Sequence, residues 1–418
     1  MIRRLLLALL LFPSLGWAVC AVDSARRDFA QDEPGMDQEL ADYLTARAPL
    51  LQNTMLYGAG IDCRATFTGG VLTGAGAIQY IDGPNGLLVP RMSGSPAFTP
   101  NGYLAEGAIA NTLVYSNDLT RAAGWTANNM NRAFTSTGPN GVANDATRLT
   151  ATTNNGYIVD AAPVVGTGKI TSVWIKRITG TGAVYLANGG GSTWEAVTVT
   201  TSWTRVSSKI DGGADTGQGI KLATSGDAVD VWGFTQWTAT FAYPSTLVTQ
   251  AVAASVSADV GPTYAVADNL PTGGFATVGI SAQEMGAGTA GGNVLNLENA
   301  SGTRTGGEFT FSGANPAART MTFYALVGGS VVATINALAA VGVGTGMNRW
   351  DGIFATDAFA FYRNGALQGT DTSGASPTTW TDFRVGSNFS GSQPIYGNVS
   401  GLHILGVAVS AADVARLR

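Results

Sequence analysis

The chain has 418 residues, more than one hydrophobic core ordinarily holds, so two or three domains are expected. Its 56 glycines and 15 prolines, with charged residues at only 12%, exclude an architecture of long helices and indicate a turn-rich, all-β protein of extracellular or virion type. A net charge of −5, with lysine only at Lys169, Lys176, Lys209 and Lys221, leaves no basic field for nucleic acid, and one histidine (His403) with two cysteines (Cys20, Cys63) is too few for a usual zinc site.

Residues 1–21 have the layout of a secretory signal: Arg3 and Arg4, an apolar run from Leu5 to Leu11, Pro13, and small residues at Ala18 and Ala21. The run is too short to span a bilayer. Two readings stand side by side, a cleaved signal and an uncleaved apolar arm packed inside an assembly. Cleavage after Ala18 leaves Cys20 able to pair with Cys63; cleavage after Ala21 leaves Cys63 alone. Trp17-Ala18-Val19 before Cys20 lacks the residues of a lipobox.

Within residues 22–62, Met36, Leu40, Tyr43, Leu44 and Leu51 recur near helical spacing and Pro49 closes the run, which predicts an amphipathic neck or docking helix. On a short isolated helix, the partner of such a stripe is either the chain's own fold or another subunit. Residues 63–115 are short apolar pieces cut by Gly69-Gly70, Asp82-Gly83-Pro84 and Asn101-Gly102, a β connector of brief strands.

In residues 116–248 the predicted strands are 146–150, 170–178, 183–187, 194–200, 203–210 and 228–234, spaced as in a jelly-roll sandwich. Residues 249–264, ending near Gly261-Pro262, are expected to be a linker. From 265 to 418 strands are predicted at 275–281, 294–298, 307–311, 321–326, 331–337, 350–356, 358–363 and 402–409, with an Asn364-Gly365 hairpin turn. The fold class is therefore mainly β, two tandem sandwiches after a short N-terminal helical and β connector.

Residues 91–107 followed by Asn111-Thr112-Leu113-Val114-Tyr115-Ser116 resemble a bacteriophage fibre or spike module. In that family Arg-x-Ser, Glu-Gly and Asn-x-Leu-x-x-Ser segments lead into a carbohydrate-binding-like jelly roll that begins near a Trp, here Trp125. Gly138-Pro139-Asn140-Gly141 with Asp145-Ala146-Thr147, Val173-Trp174-Ile175-Lys176-Arg177, Ser202-Trp203-Thr204-Arg205 and Asp227 to Gly233 resemble its later landmarks. The chain departs from the pattern at Phe234-Thr235-Gln236-Trp237, where the family often has Ala-Gln-x-Glu. The last third is similar to laminin-G and concanavalin-like sandwiches, through Phe361 to Leu367, Arg384-Val385-Gly386, Ile395 to Val399 and the helix start Ser410-Ala411-Ala412-Asp413-Val414.

Concanavalin-like folds include glycosidases, which need two carboxyl groups beside the scissile bond. The Glu-x-Asp-x-x-Glu strand of those enzymes is absent, and Glu308 is the last glutamate, so no catalytic residue is assigned. His403, in an apolar strand, reads as a structural histidine, and Gly286 to Gly291 reads as a loop although it matches a dinucleotide fingerprint. Sugar contacts would come from aromatic faces. Trp174, Trp203 and Trp232 stand in strand motifs and read as packing residues, whereas Trp194 and Trp380 follow loop sequences and are the candidate glycan contacts. No cofactor is implied; abundant loop Asp and Asn leave room for a structural Ca²⁺, without a ligand motif.

The resemblance implies a non-enzymatic phage virion appendage, a head fibre, tail fibre or spike. It also implies a homotrimer whose partners are other virion proteins and a host-surface glycan. Met36, Leu40, Tyr43, Leu44 and Leu51 would form the oligomer or docking contact. A secreted bacterial lectin-like adhesin, supported by the signal-like start, and a purely structural decoration protein are the alternatives, followed by a polysaccharide-degrading enzyme.

Overall fold

The computed structural model describes residues 56–415, apart from 58–59, 62–65, 69–70, 84–85, 95–96, 161–168, 188–193, 210–217, 239–243, 266–273, 287–291, 299–304, 314–317, 343–344, 379, 381, 389–394 and 406–407. The expected helix bearing Met36, Leu40, Tyr43, Leu44 and Leu51 lies outside the described residues, as does the segment with Cys20. Among the described residues nearly all regular structure is antiparallel strand, and the helical turn Ala411–Val414, capped by Ser410, stands where a closing helix was expected.

The first sandwich packs two five-stranded sheets. One runs in the order Trp125–Asn128, Gly156–Asp160, Gly219–Leu222, Val184–Ala187, Trp194–Val197. The other runs Met130–Ser136, Ala146–Ala151, Ala228–Thr238, Lys169–Thr179, Thr204–Lys209. Period-2 alternation dictates which side chains enter the core: Ile158, Leu186 and Ile220 point inward from one sheet and meet Leu149, Val173 and Val231 from the other. Each such side chain removed from water contributes about 1.5–3 kcal/mol. Trp125 closes one end of this core, its ring centroid 4.9 Å from that of Phe234 and its Nε1 donating to the Tyr115 carbonyl at 3.0 Å.

The second sandwich packs two seven-stranded sheets around Phe309, Phe323, Phe354, Phe361 and Trp350. Phe361 lies between Phe323 and Trp350, nearly parallel to both, with centroids 5.6 and 5.4 Å away. Gly352 makes this stack possible, because a Cβ there would stand 2.8 Å from Phe309 and Phe323. Asn364 and Gly365 both have positive φ, 50° and 79°, and join strands paired Arg363 to Ala366, as the Asn-Gly turn predicts.

Residues 63–115 do not form a self-standing connector. Thr66–Thr68 extends one seven-stranded sheet, and Ala97–Thr99 with Gly102–Ala105 extends the other. Ile78–Asp82 pairs with Thr246–Val248 on one side and Leu88–Arg91 on the other, and Leu72–Thr73 and Ile109–Asn111 flank Ala254–Val256. The expected linker 249–264 accordingly holds strands: Ala254–Val256, and the start of Val260–Ala265. Long-range pairing satisfies their backbone groups, a fact that local composition does not encode.

A buried polar cluster ties these pieces together. Arg91 is ion-paired with Asp259, and its Nη1 stands 3.8 Å from Glu106 Oε2. Glu106 also accepts from Gln79 Nε2 at 2.8 Å and from the Ser245 backbone N–H at 2.9 Å, while its own N–H donates to Asp259 Oδ2 at 3.1 Å. Arg205 donates to the carbonyls of Pro244 and Ser245, each at 3.1 Å. Burial pushes the Glu106 carboxyl up to about 7, and the Asp259 carboxylate adds to the rise against the pull of Ser245 and Arg91. Burial likewise pushes Glu284 up to about 7 against its partner Arg319.

A carboxyl whose folded value exceeds its ordinary 4.5 favours folding in its protonated form. Its contribution is complete below about pH 4.5 and is lost as the pH rises through about 7. Melting temperature is therefore expected to fall between pH 5 and pH 8, and Glu106→Gln to flatten the fall by an amount on the order of 3 kcal/mol at most. Thermal melts across that range check this; an unchanged slope in the variant would show Glu106 ionised throughout.

Candidate functional site

Strands Gly156–Asp160, Gly219–Leu222 and Val184–Ala187 each place one large residue outward between two inward ones: Tyr157, Lys221 and Tyr185. The register sets them in one line across the sheet. Asn128 lies opposite Tyr157, Tyr157 opposite Lys221, Lys221 opposite Tyr185, and Tyr185 opposite Ala196. Trp194, two residues before Ala196 on the same face, completes a half-exposed aromatic row.

The members of the row touch. Tyr157 and Trp194 have ring centroids 6.0 Å apart. Lys221 Nζ lies 4.5 Å from the centre of the Tyr185 ring and 5.0 Å from that of Trp194. Asn128 Nδ2 donates to the Tyr157 hydroxyl at 3.2 Å. Beneath the row, Ile158, Ile220 and Leu186 are at most 1% exposed, so the outward side chains stand on a close-packed layer and lose little freedom on meeting a ligand. Rings of this kind offer an apolar platform, and the amide, hydroxyls and ammonium offer hydrogen bonds, the combination that holds a pyranose.

The two sequence candidates part company here. Trp194 is in the row. Trp380, expected at a loop rim, is instead 4% exposed within the core of the second sandwich, edge-on to Phe354 at 5.0 Å. The polar sequence before Trp380 suggests a loop, but the large indole fills the space beside Phe354. Trp125, Trp232, Trp237 and Trp350 are also buried. Trp174 and Trp203 pack against the junction, Trp174 donating to Thr246 Oγ1 at 3.0 Å and Trp203 facing Lys176 at 4.9 Å.

The residues that carry the fibre resemblance are structural. Asn111 Nδ2 donates to the carbonyls of Phe234 and Leu247, each at 2.8 Å, and Trp232 Nε1 donates to Asp145 Oδ2 at 2.9 Å. Asp145 also takes Asn117 and Asn140 amides at 2.7 Å each, and Asp230 holds Arg148, Lys176 and Ser136. Sequence reasoning missed Tyr157, Tyr185, Lys221 and Asn128. The alternation within Gly156–Asp160 and Ile220-Lys221-Leu222 is the signal that could have found them.

The second sandwich brings two carboxylates to one amide. In the orientation that satisfies both ends, Asn296 donates to Glu298 Oε1 at 3.1 Å and Glu308 Oε1 at 3.2 Å and accepts from Asn293 Nδ2 at 3.0 Å. All four side chains are buried. No group of three or more His, Cys, Asp or Glu side chains that could hold a metal ion occurs among the described residues. No helix among them is long and apolar enough to cross a membrane. His403 lies in strand Tyr396–Leu405, opposite Gly279.

No protein-family model matches the chain, and no curated protein matches it. Solved structures with similar chains include a heptameric SAP-like pentraxin from Limulus polyphemus, at 14% identity over 35% of this chain and 70% of that one, TM-score 0.29. The CBM40 of a Ruminococcus gnavus IT-sialidase, bound to α2,3-sialyllactose, is 15% identical over 37% of this chain and 91% of its own, TM-score 0.29. Domain 4 of a GH43 arabinanase from Geobacillus stearothermophilus, in complex with arabinotriose, is 13% identical over 38% and 72%, TM-score 0.28.

The contrast between the two tryptophans is measurable. Acrylamide quenching of Trp194→Phe is expected to lose a quenchable component of the emission that Trp380→Phe keeps, because only Trp194 is open to solvent. Equal losses in the two variants would place both indoles in the same environment.

Proposed function

We propose that the chain is a non-enzymatic subunit of a phage virion appendage, a head fibre, tail fibre or spike, that attaches to host-surface glycan. The observation that carries the glycan reading is the row of Asn128, Tyr157, Lys221, Tyr185 and Trp194 on one face of the first sandwich. Three half-exposed rings aligned across a rigid sheet are costly to leave against water unless something covers them, and sugar rings cover them well.

The appendage part of the proposal is supported by the fibre-like motifs of residues 91–233, and the homotrimer by the apolar stripe from Met36 to Leu51, which lies outside the described residues. Its partners would be the other virion structural proteins. The signal-like start, Arg3-Arg4 with Leu5 to Leu11, favours a second reading, a secreted bacterial lectin-like adhesin. Both readings share the glycan-binding face.

Glycan-array binding followed by calorimetry is expected to find a ligand whose affinity falls about tenfold or more in Tyr157→Ala and Trp194→Ala, given the about 0.5–1.5 kcal/mol that each ring contact adds beyond its buried area. The same ligand should remain at full length after prolonged incubation with the purified protein. Depolymerisation lost in Glu298→Gln or Glu308→Gln would overturn the non-enzymatic reading and assign the carboxylate pair to catalysis.

Location and assembly have their own checks. Antibody against residues 266–418 is expected to label virion projections in electron micrographs, and sedimentation equilibrium of the full chain to give a trimer mass. Label confined to cell envelopes would favour the adhesin.

A further inference from the structure

Resting on the glycan-binding reading, we propose that the sugar taken by this face is acidic, a carboxylate-bearing pyranose whose carboxylate meets Lys221. The placement of charge on the sheet points there. Lys221 is at the middle of the row, on the central strand of the five, with Tyr157 on one side and Tyr185 on the other. The two carboxylates on the same sheet stand at the opposite phase of their strands: Asp160 follows Val159, three residues from Tyr157, and Glu195 accepts from Ser208 Oγ of the facing sheet at 2.7 Å. In a chain with a net charge of −5 and four lysines, the face is thus locally cationic.

The surroundings of the ammonium decide what it can take. Two ring faces hold it at 4.5 and 5.0 Å and displace water from two of its sides. A ring face accepts no strong hydrogen bond, so the N–H donors turned away from the rings remain for a ligand. A neutral hydroxyl offers them an ordinary hydrogen bond; a carboxylate offers a charge-assisted one, roughly twice as strong.

The shape of the face agrees. Two residues along the same strands from Lys221 and Tyr185 are Gly219 and Ala187, both buried, and Trp194, paired with Ala187, bounds the open part of the face. A sugar ring stacked on the exposed part of Trp194 would carry a carboxylate at its edge towards Lys221, whose Nζ is 5.0 Å from the centre of that indole. Uronic and sialic acids both carry their carboxylate at a ring carbon, and they are the two sources of this chemistry.

The test uses the full chain and matched pairs of ligand: oligouronides against the same oligomers with carboxyl groups reduced to alcohols, and sialyllactose against lactose. The expected result is at least tenfold tighter binding of the acidic member of one pair, an advantage that shrinks as salt is raised. Lys221→Gln should abolish that advantage, bringing the acidic member down to the affinity of its neutral partner; Lys221→Arg should keep it. The pair that shows the preference identifies uronate or sialate as the source. Equal affinity for both members within each pair, with binding lost in Trp194→Ala, would overturn the acidic assignment and leave the glycan-binding reading standing. No binding to any member, or binding indifferent to Trp194→Ala and Tyr157→Ala, would overturn the reading itself and the inference with it.

Discussion

The buried charge cluster of Arg91, Glu106 and Asp259 is the constraint around which the molecule is arranged. Arg91 ends a strand that pairs with Ile78–Asp82, Glu106 follows the strand that extends one seven-stranded sheet, and Asp259 precedes the strand that extends the other. Gln79 and Ser245 bring in the layer that adjoins the first sandwich. Taking one member out would leave its partner buried and uncompensated, a loss of about 3–5 kcal/mol in comparable cases. Replacing the whole cluster by apolar groups need not cost as much, so its value lies in fixing one arrangement of segments far apart in sequence.

That arrangement draws polar residues of the fibre-like motifs into the interior. Asn111, Asp145, Arg205 and Trp232 satisfy backbone carbonyls and one another at the junction between sandwiches. Asn111 and Trp232 are buried and Asp145 and Arg205 partly so, and buried groups tolerate little change because an orphaned donor or acceptor costs about 1–3 kcal/mol. The proposed glycan face has no such motif. Its residues stand on a close-packed layer of Ile158, Ile220 and Leu186 and make their contacts with one another.

The second sandwich is built on a different principle, an aromatic stack. Phe361 between Phe323 and Trp350, with Trp380 against Phe354, fills the space between two large sheets, and Glu284 with Arg319 is buried with it. The pairing of Glu298 and Glu308 through Asn296 arises from antiparallel register, which puts Asn296 opposite Glu308 and leaves Glu298 two residues on. A linear motif search for catalytic carboxylates passes over such a pair because its members are on neighbouring strands.

The sequence by itself determined the fold class and most strands of both sandwiches. Strand periodicity, Gly/Asn/Asp turns and the Asn364-Gly365 hairpin are local signals, readable without knowing the partner of any strand. It also singled out Trp194. Only the tertiary structure decided that residues 63–115 and 249–264 pair with the sheets around them, that Trp380 is a core residue, and that Asn128, Tyr157, Lys221 and Tyr185 form one line with Trp194 beside it. The physical reason is register: alternation along one strand tells which side chains share a face, but which of them become neighbours depends on backbone hydrogen bonds between strands tens to hundreds of residues apart.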